Sequence, residues 1–222
     1  MSLYLQVCRK IHAEIMHRKI IIPLLLLALL QQQPTAQVLR PLTVGDSLPA
    51  IVIKNIINHH TDTFSTVAVK GKLLLLDFAA TTCIPCIKAI PLLNELQQQF
   101  REKIQVIMVT AESREKVQRF MQNNKVAAKA IFPVAVEDSI LHQLFPHGAL
   151  PHEVWINPQG RLVAITDHQY LSAANMETVL KGILPPWPVK DHPGLLGSTP
   201  VIEQTKKEYC SLFKPYQQGL KT

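Results

Sequence analysis

The sequence has no block of lysine or arginine, no apolar run long enough to cross a bilayer, no second Cys-x-x-Cys pair and few glycines. Each absence excludes something. The formal charge is +7; four basic residues in the first 36 positions (Arg9, Lys10, Arg18, Lys19) against Glu14 alone hold +3 of it, leaving +4 for the rest. That mild, dispersed balance reads as a solvated surface and carries no nucleic-acid footprint. Eight glycines against sixteen prolines speak for ordered punctuation rather than flexible linkers. A structural zinc site needs about four ligands, and a single Cys-x-x-Cys supplies half of them. Covalent haem is disfavoured because Ile87, not histidine, follows the second cysteine. No internal repeat stands out.

What is present fits one domain with tails: 222 residues, 47% of them hydrophobic. Arg18 and Lys19 precede Ile20–Leu30, an apolar run of 11 residues. This matches the core of a signal peptide and falls short of the ~20 residues that span a membrane. Small residues at Thr35 and Ala36 place cleavage after Ala36, so residues 1–36 read as a signal peptide, with Met16 as an alternative start. An uncleaved membrane anchor is the other reading; a lipoprotein anchor is not supported, since no cysteine closely follows the run. Export implies an oxidising setting, the periplasm or cell envelope, in which disulfides persist. Cys8 would leave with the signal. Cys83, Cys86 and Cys210 would stay, Cys210 either free or paired with another chain.

The stretch Lys72–Leu93, KLLLLDFAATTCIPCIKAIPLL, organises the rest. Leu73–Phe78 is apolar except for Asp77, as a strand buried on both faces should be. Ile84–Phe100 has helical periodicity, with Ile87, Ile90, Leu93, Leu96 and Phe100 on one stripe and Pro91 inside it. A cysteine opening that helix would have its thiol at the positive end of the dipole, which favours the thiolate. On spacing alone, Cys83 and Cys86 are a redox-active dithiol, a static disulfide or half a zinc site.

Around this centre, Val38–Pro49 reads as an extended lead-in, Ala50–Ile57 as a strand, and Thr63–Val69 as a second short strand or loop. Ile104–Thr110 is another buried strand. Ser113–Asn124 is a helix with a Ser cap, and Ile131–Val136 is a short strand. Asp138–Phe145 is a short helix with an Asp cap. Glu153–Ile156 and Leu162–Thr166 flank the turn Asn157-Pro158-Gln159-Gly160 as a hairpin. Ser172–Ile183 is a final helix. Buried strands alternating with helices predict an α/β fold around a partly parallel sheet, which the hairpin makes mixed. Residues 185–222 read as a tail or the start of a continuation, with Tyr209, Leu212, Phe213 and Tyr216 as an apolar cluster within it.

These motifs, in this order, resemble the exported TlpA/ResA thiol-disulfide oxidoreductases of the thioredoxin superfamily. LLLLDFAATTCIPC resembles the family's strand followed by Asp-Phe-Trp-Ala-x-Trp-Cys-x-Pro-Cys. Asp77, six residues before Cys83, stands where thioredoxins carry a buried acid, and Pro91, eight after it, stands where their active-site helix bends. Leu150-Pro151 matches the cis-proline loop that faces the dithiol. Glu112, within VTAES, matches an active-site glutamate of ResA-type proteins. The likeness runs from about Val44 to Ile183. It implies a thioredoxin-like domain over residues 37–184, with helices flanking a mixed central sheet, an N-terminal strand extension, and the extra β/α insertion of TlpA-like proteins. Ala79 and Thr82 depart from the pattern, standing where the family has tryptophans, which implies a smaller, more polar and more open site.

The resemblance also implies roles. Cys83 is the exposed nucleophile and Cys86 the shielded resolving thiol. Asp77 is the proton acceptor for Cys86, Glu112 a second acid, and Pro151 the edge on which an extended substrate pairs. His147 and His152 flank that loop and are expected at the surface. The dithiol is its own redox group, so no cofactor and no metal are implied. Ile84-Pro85 is expected to set a potential in the reducing half of the span of about −270 to −120 mV known for this fold. The function that follows is reduction or exchange of disulfides in extracytoplasmic proteins, with electrons from a membrane-bound donor. One alternative is a peroxiredoxin-type peroxidase, which needs a threonine three residues before its cysteine; Ala80 stands there instead. Another is a non-catalytic binding module with a fixed disulfide.

Overall fold

The computed structural model describes residues 40–183 and 186–190. The signal segment, its cleavage site, Cys210 and the aromatic cluster of the tail lie outside the described residues. Chain order is β1 (Val52–Lys54), β2 (Ile56–Ile57), β3 (Thr63–Ser65), β4 (Leu73–Phe78), α1 (Ile84–Gln99), β5 (Ile104–Val109), α2 (Arg114–Asn123), β6 (Val134–Ala135), α3 (Ile140–Leu144), β7 (His152–Ile156), β8 (Leu162–Thr166) and α4 (Ala173–Leu180).

Six strands form one sheet in the order β2-β6-β5-β4-β7-β8. β4 pairs parallel with β5 and antiparallel with β7, and β7 pairs antiparallel with β8. The sheet is therefore mixed, with the continuously apolar β4 at its centre and buried along its whole length. Side chains alternate across it. Leu74, Leu76, Phe78 and Val154 face a layer that includes Ile53, Phe64, Leu141, Leu144 and Phe145. Leu73, Leu75 and Trp155 face Ile90, Leu93 and Leu96 of α1 and Met176 and Val179 of α4. Asp77 and Glu153 share the parity of Leu75 and Trp155, so both acids point to the α1 side.

The expected strand Ala50–Ile57 is broken. Asn55 takes a left-handed conformation (φ 56°), which asparagine tolerates better than a β-branched residue. The reversal lets β1 pair antiparallel with β3 in a separate two-stranded sheet while β2 joins β6 in the main one. The expected Asp cap at position 138 is also displaced: α3 begins one residue later than that cap requires, after Ser139. Asp138 instead accepts from the backbone N–H of His142 at 3.1 Å and contacts its Nδ1 at 3.0 Å. The Ser caps of α2 and α4 are as expected, each accepting the amide three residues on, Lys116 at 3.4 Å and Asn175 at 3.2 Å. The β7–β8 turn closes with the Gly160 amide donating to the Asn157 carbonyl at 2.8 Å. Gly160 sits at φ 77°, where a side chain would be strained.

The segment assigned to a tail is docked where it is described. Trp187 packs its ring 5.0 Å from that of Trp155 and 5.3 Å from that of Tyr170. The Lys190 amide donates to the Ile165 carbonyl of β8 at 2.9 Å. Residues 186–190 thus run as a strap along the sheet edge.

Candidate active site

Cys83 is the N-cap of α1 and Pro85 lies in its first turn, where a missing amide costs nothing. The two cysteines form a disulfide, with an S–S distance of 2.01 Å. Cys83 is half-buried, whereas Cys86, one turn in, is only 1% exposed. The Cys86 amide donates to Cys83 Sγ at 3.3 Å, so the first sulfur sits against a backbone donor at the positive end of the helix. Both features stabilise a thiolate at Cys83 in the reduced state. Ile84 beside it is 64% exposed, a large apolar side chain on the rim of the dithiol. The helix continues through Pro91, which has no N–H to offer the Ile87 carbonyl.

The loop between β4 and α1 is tied down at three points. The Ala79 amide donates to the Val109 carbonyl and the Cys83 amide to the Ala80 carbonyl, both at 3.0 Å. Between them, Glu112 accepts from Thr81 twice, from its amide at 2.7 Å and from its hydroxyl at 2.9 Å. Lys116 reaches the same carboxylate at 2.6 Å. Burial pushes the Glu112 carboxyl up, but Lys116 and the Thr81 donors together outweigh it and hold the group below its ordinary value. Glu112 is thus an anion that anchors the loop leading to Cys83. Replacing Thr81 by valine removes one hydrogen bond to a charged acceptor and should cost about 1–2 kcal/mol in urea unfolding. Lys116→Ala, which removes a cation half in solvent, should cost about 0.5 kcal/mol or less. Equal effects would contradict this ranking.

Asp77 is fully buried. It lies across the β4–β7 ladder from Glu153, which is also fully buried. Burial pushes Asp77 up to about 7, with the neighbouring Glu153 carboxyl moderating the shift. Glu153 is also pushed well above its ordinary value, by burial first and then by the charge of Asp77. Two carboxyls that share a dry site cannot both ionise readily, so near neutrality the pair holds one exchangeable proton. Sequence reading found Asp77 and missed Glu153. Its signal was position: two residues after Pro151, with the parity of a core residue.

The Leu150–Pro151 bond is cis. Because His152 pairs with Phe78, Pro151 lies at the end of the sheet from which the chain leaves β4 for Cys83. His152, expected at the surface, is fully buried. It stacks on His147 at 4.6 Å, and both rings lie against Phe78, on the face away from the acids. The apolar Phe78 edge draws these imidazoles in; nothing in the local sequence marks that packing.

The AhpC/TSA family model matches residues 44–164. The chain belongs to this family. Within it the chain is TlpA/ResA-like, as its motifs implied. It is 32% identical over 97 residues to the thiol-disulfide oxidoreductase ResA of Bacillus cereus, covering 42% of this chain and 54% of that one. It is 27% identical over 146 residues to the protein of the same name from Oceanobacillus iheyensis, covering 64% of this chain and 73% of the relative. A thioredoxin-like protein, YneN of Bacillus subtilis, matches at 32% over 68 residues, 31% of this chain and 40% of its own. The chain thus spans about half the length of two of these relatives. Among solved structures, a protein assigned as the thiol:disulfide interchange protein DsbE of Chlorobium tepidum superposes with a TM-score of 0.50 at 22% identity, over 62% of this chain and 93% of that one. One assigned as a disulfide isomerase from Bacteroides thetaiotaomicron gives 0.50 at 16%, over 64% and 87%. These likenesses show the thioredoxin fold.

Proposed function

We propose that this AhpC/TSA family member is an exported thiol-disulfide oxidoreductase that reduces or exchanges disulfides of extracytoplasmic proteins. One observation carries the reading: a Cys83–Cys86 disulfide caps α1 with the first cysteine half-exposed and the second buried, at the end of the sheet that holds the buried acids Asp77 and Glu153. A static structural bridge needs neither the half-exposed cysteine nor the buried acids. The ResA relatives are named for the same chemistry. Export rests on the Arg18-Lys19 and Ile20–Leu30 pattern.

In the reductive direction, the Cys83 thiolate attacks one sulfur of a substrate disulfide. That S–S bond breaks, a mixed disulfide forms, and the departing substrate thiolate takes up a proton. Cys86 gives its proton to the Asp77–Glu153 pair and attacks Cys83 Sγ. The mixed disulfide breaks, the second substrate thiolate leaves and is protonated, and the Cys83–Cys86 disulfide is restored. Two electrons pass to the substrate, so a dithiol donor must recharge the site; for an exported protein that donor is membrane-bound. The purified reduced chain should reduce insulin disulfides with a potential in the lower half of the fold's range. Failure to reduce insulin or any small disulfide, with a bridge that resists dithiothreitol, would favour the fixed-disulfide reading.

A further inference from the structure

Lys190 is a basic residue bent inward from the strap. Its ammonium donates to the carbonyl of Ala149 at 3.0 Å and to that of Pro151, the two residues that flank Leu150 in the cis-proline loop. The placement is held at two further points, the Lys190 amide on Ile165 and the Trp187 ring on Trp155 and Tyr170. Trp155 is two residues from Glu153 on the same face of β7. Among the described residues, the charged and titratable groups that meet here are Asp77 from β4, Glu153 from β7, Asp167 just after β8, and Lys190 from the strap. Three are acids, and Lys190 is the cation among them. An edge cover alone would call for an apolar or solvated side chain. A half-buried ammonium costs desolvation that only carbonyls and carboxylates can offset.

We propose that Lys190 is a positioning residue of the dithiol centre: it latches the cis-proline loop and supplies the positive charge facing the Asp77–Glu153 pair, so that docking of the strap sets the pair's strength as a proton acceptor. The proposal deepens the oxidoreductase reading and rests on it. Burial holds Lys190 below its ordinary value, while Asp167 and Glu153 raise it; burial and Asp77 raise Glu153, and Lys190 opposes them. Without the cation, the buried pair ionises at higher pH. At neutral pH less of it is available as base, and transfer of the Cys86 proton slows.

The experiment is the pH dependence of single-turnover disulfide reduction by the full chain, for wild type, Lys190→Met, Lys190→Gln and Lys190→Arg. An opposite charge within about 4–6 Å of a carboxyl moves its pKa by about one or more. Met and Gln should therefore move the rising limb upward by about one pH unit, a roughly tenfold loss at pH 7 that is recovered at higher pH. Arg should keep the wild-type limb. Trp187→Ala, which leaves Lys190 in place but loosens its anchor, should move the limb in the same direction. Carboxyl titration by isotope-edited infrared or carbon NMR, in wild type and Lys190→Met, reads the pair without reference to turnover. A wild-type chain that reduces disulfides while Met and Gln leave both limb and titration unmoved would overturn the role of Lys190. So would a loss of rate that is uniform across pH, which is what mere destabilisation produces. A wild-type chain with no exchange activity would overturn the oxidoreductase reading instead, and the carboxyl titration would still decide the role of Lys190.

Discussion

Replacing Cys83 by serine is expected to abolish disulfide reduction, by at least about a thousandfold, with the fold intact. The reason is local. Cys83 is the less buried of the two cysteines, at the helix start with its Sγ facing the Cys86 amide, and a serine hydroxyl there stays protonated and does not attack a disulfide. Cys86 is almost wholly buried and is not placed to replace it. Cys86→Ser is expected to fail differently. Its Cys83 still attacks, but nothing resolves the mixed disulfide, so the protein accumulates bound to its substrate. The adduct is read as a mass increase equal to one substrate thiol and is released by dithiothreitol. Reductase activity that survives Cys83→Ser would sink the mechanism. A Cys86→Ser protein that turns over normally would show that an outside thiol does the resolving.

The strand Leu73–Phe78, the helix from Ile84 and the acid in that strand could be read from the chain because each rests on contiguous residues. An unbroken apolar run, a 3.6-residue stripe and a charge inside the run are local patterns. The parts that escaped depend on pairing at a distance. Glu153 looks like any strand-end acid until the β4–β7 register sets it opposite Asp77. Lys190 looks like a tail lysine until Trp187 anchors the strap. The split at Asn55 is an intermediate case. An asparagine in a β-branched run is a visible break, but only the partners β3 and β6 make the reversal favourable. His152 follows the same rule: its burial comes from Phe78 and His147 across the strand end. Pattern locates the dithiol and one acid, whereas register brings the second acid opposite the first.

Asp77→Asn is expected to stabilise the oxidised protein at neutral pH while slowing its chemistry. The sign follows from the direction in which burial moves the carboxyl. Burial raises Asp77 from 3.8 to about 7 in the folded state, so the folded state prefers the proton. The stability contributed by the neutral carboxyl is fully present below about pH 4 and is lost as pH rises through 7. Asparagine keeps the neutral shape and does not titrate. Its advantage over wild type should be near zero at pH 4 and grow to on the order of 2–4 kcal/mol by pH 8, since a tenfold change in proton affinity between the folded and unfolded states is worth about 1.4 kcal/mol. Denaturant unfolding at the two pH values measures it. The same change lowers Glu153, since the charge of Asp77 is one of the causes that raise it. Glu153 therefore becomes the remaining base. The resolving step should fall about a hundredfold and keep a residual pH limb, which the double variant Asp77→Asn, Glu153→Gln should erase. Equal stability of Asp77→Asn and wild type at pH 8 would show that the carboxylate is solvated in the folded protein. An unchanged resolving rate in the double variant would show that the Cys86 proton leaves by another route, and would remove the acid pair from the mechanism.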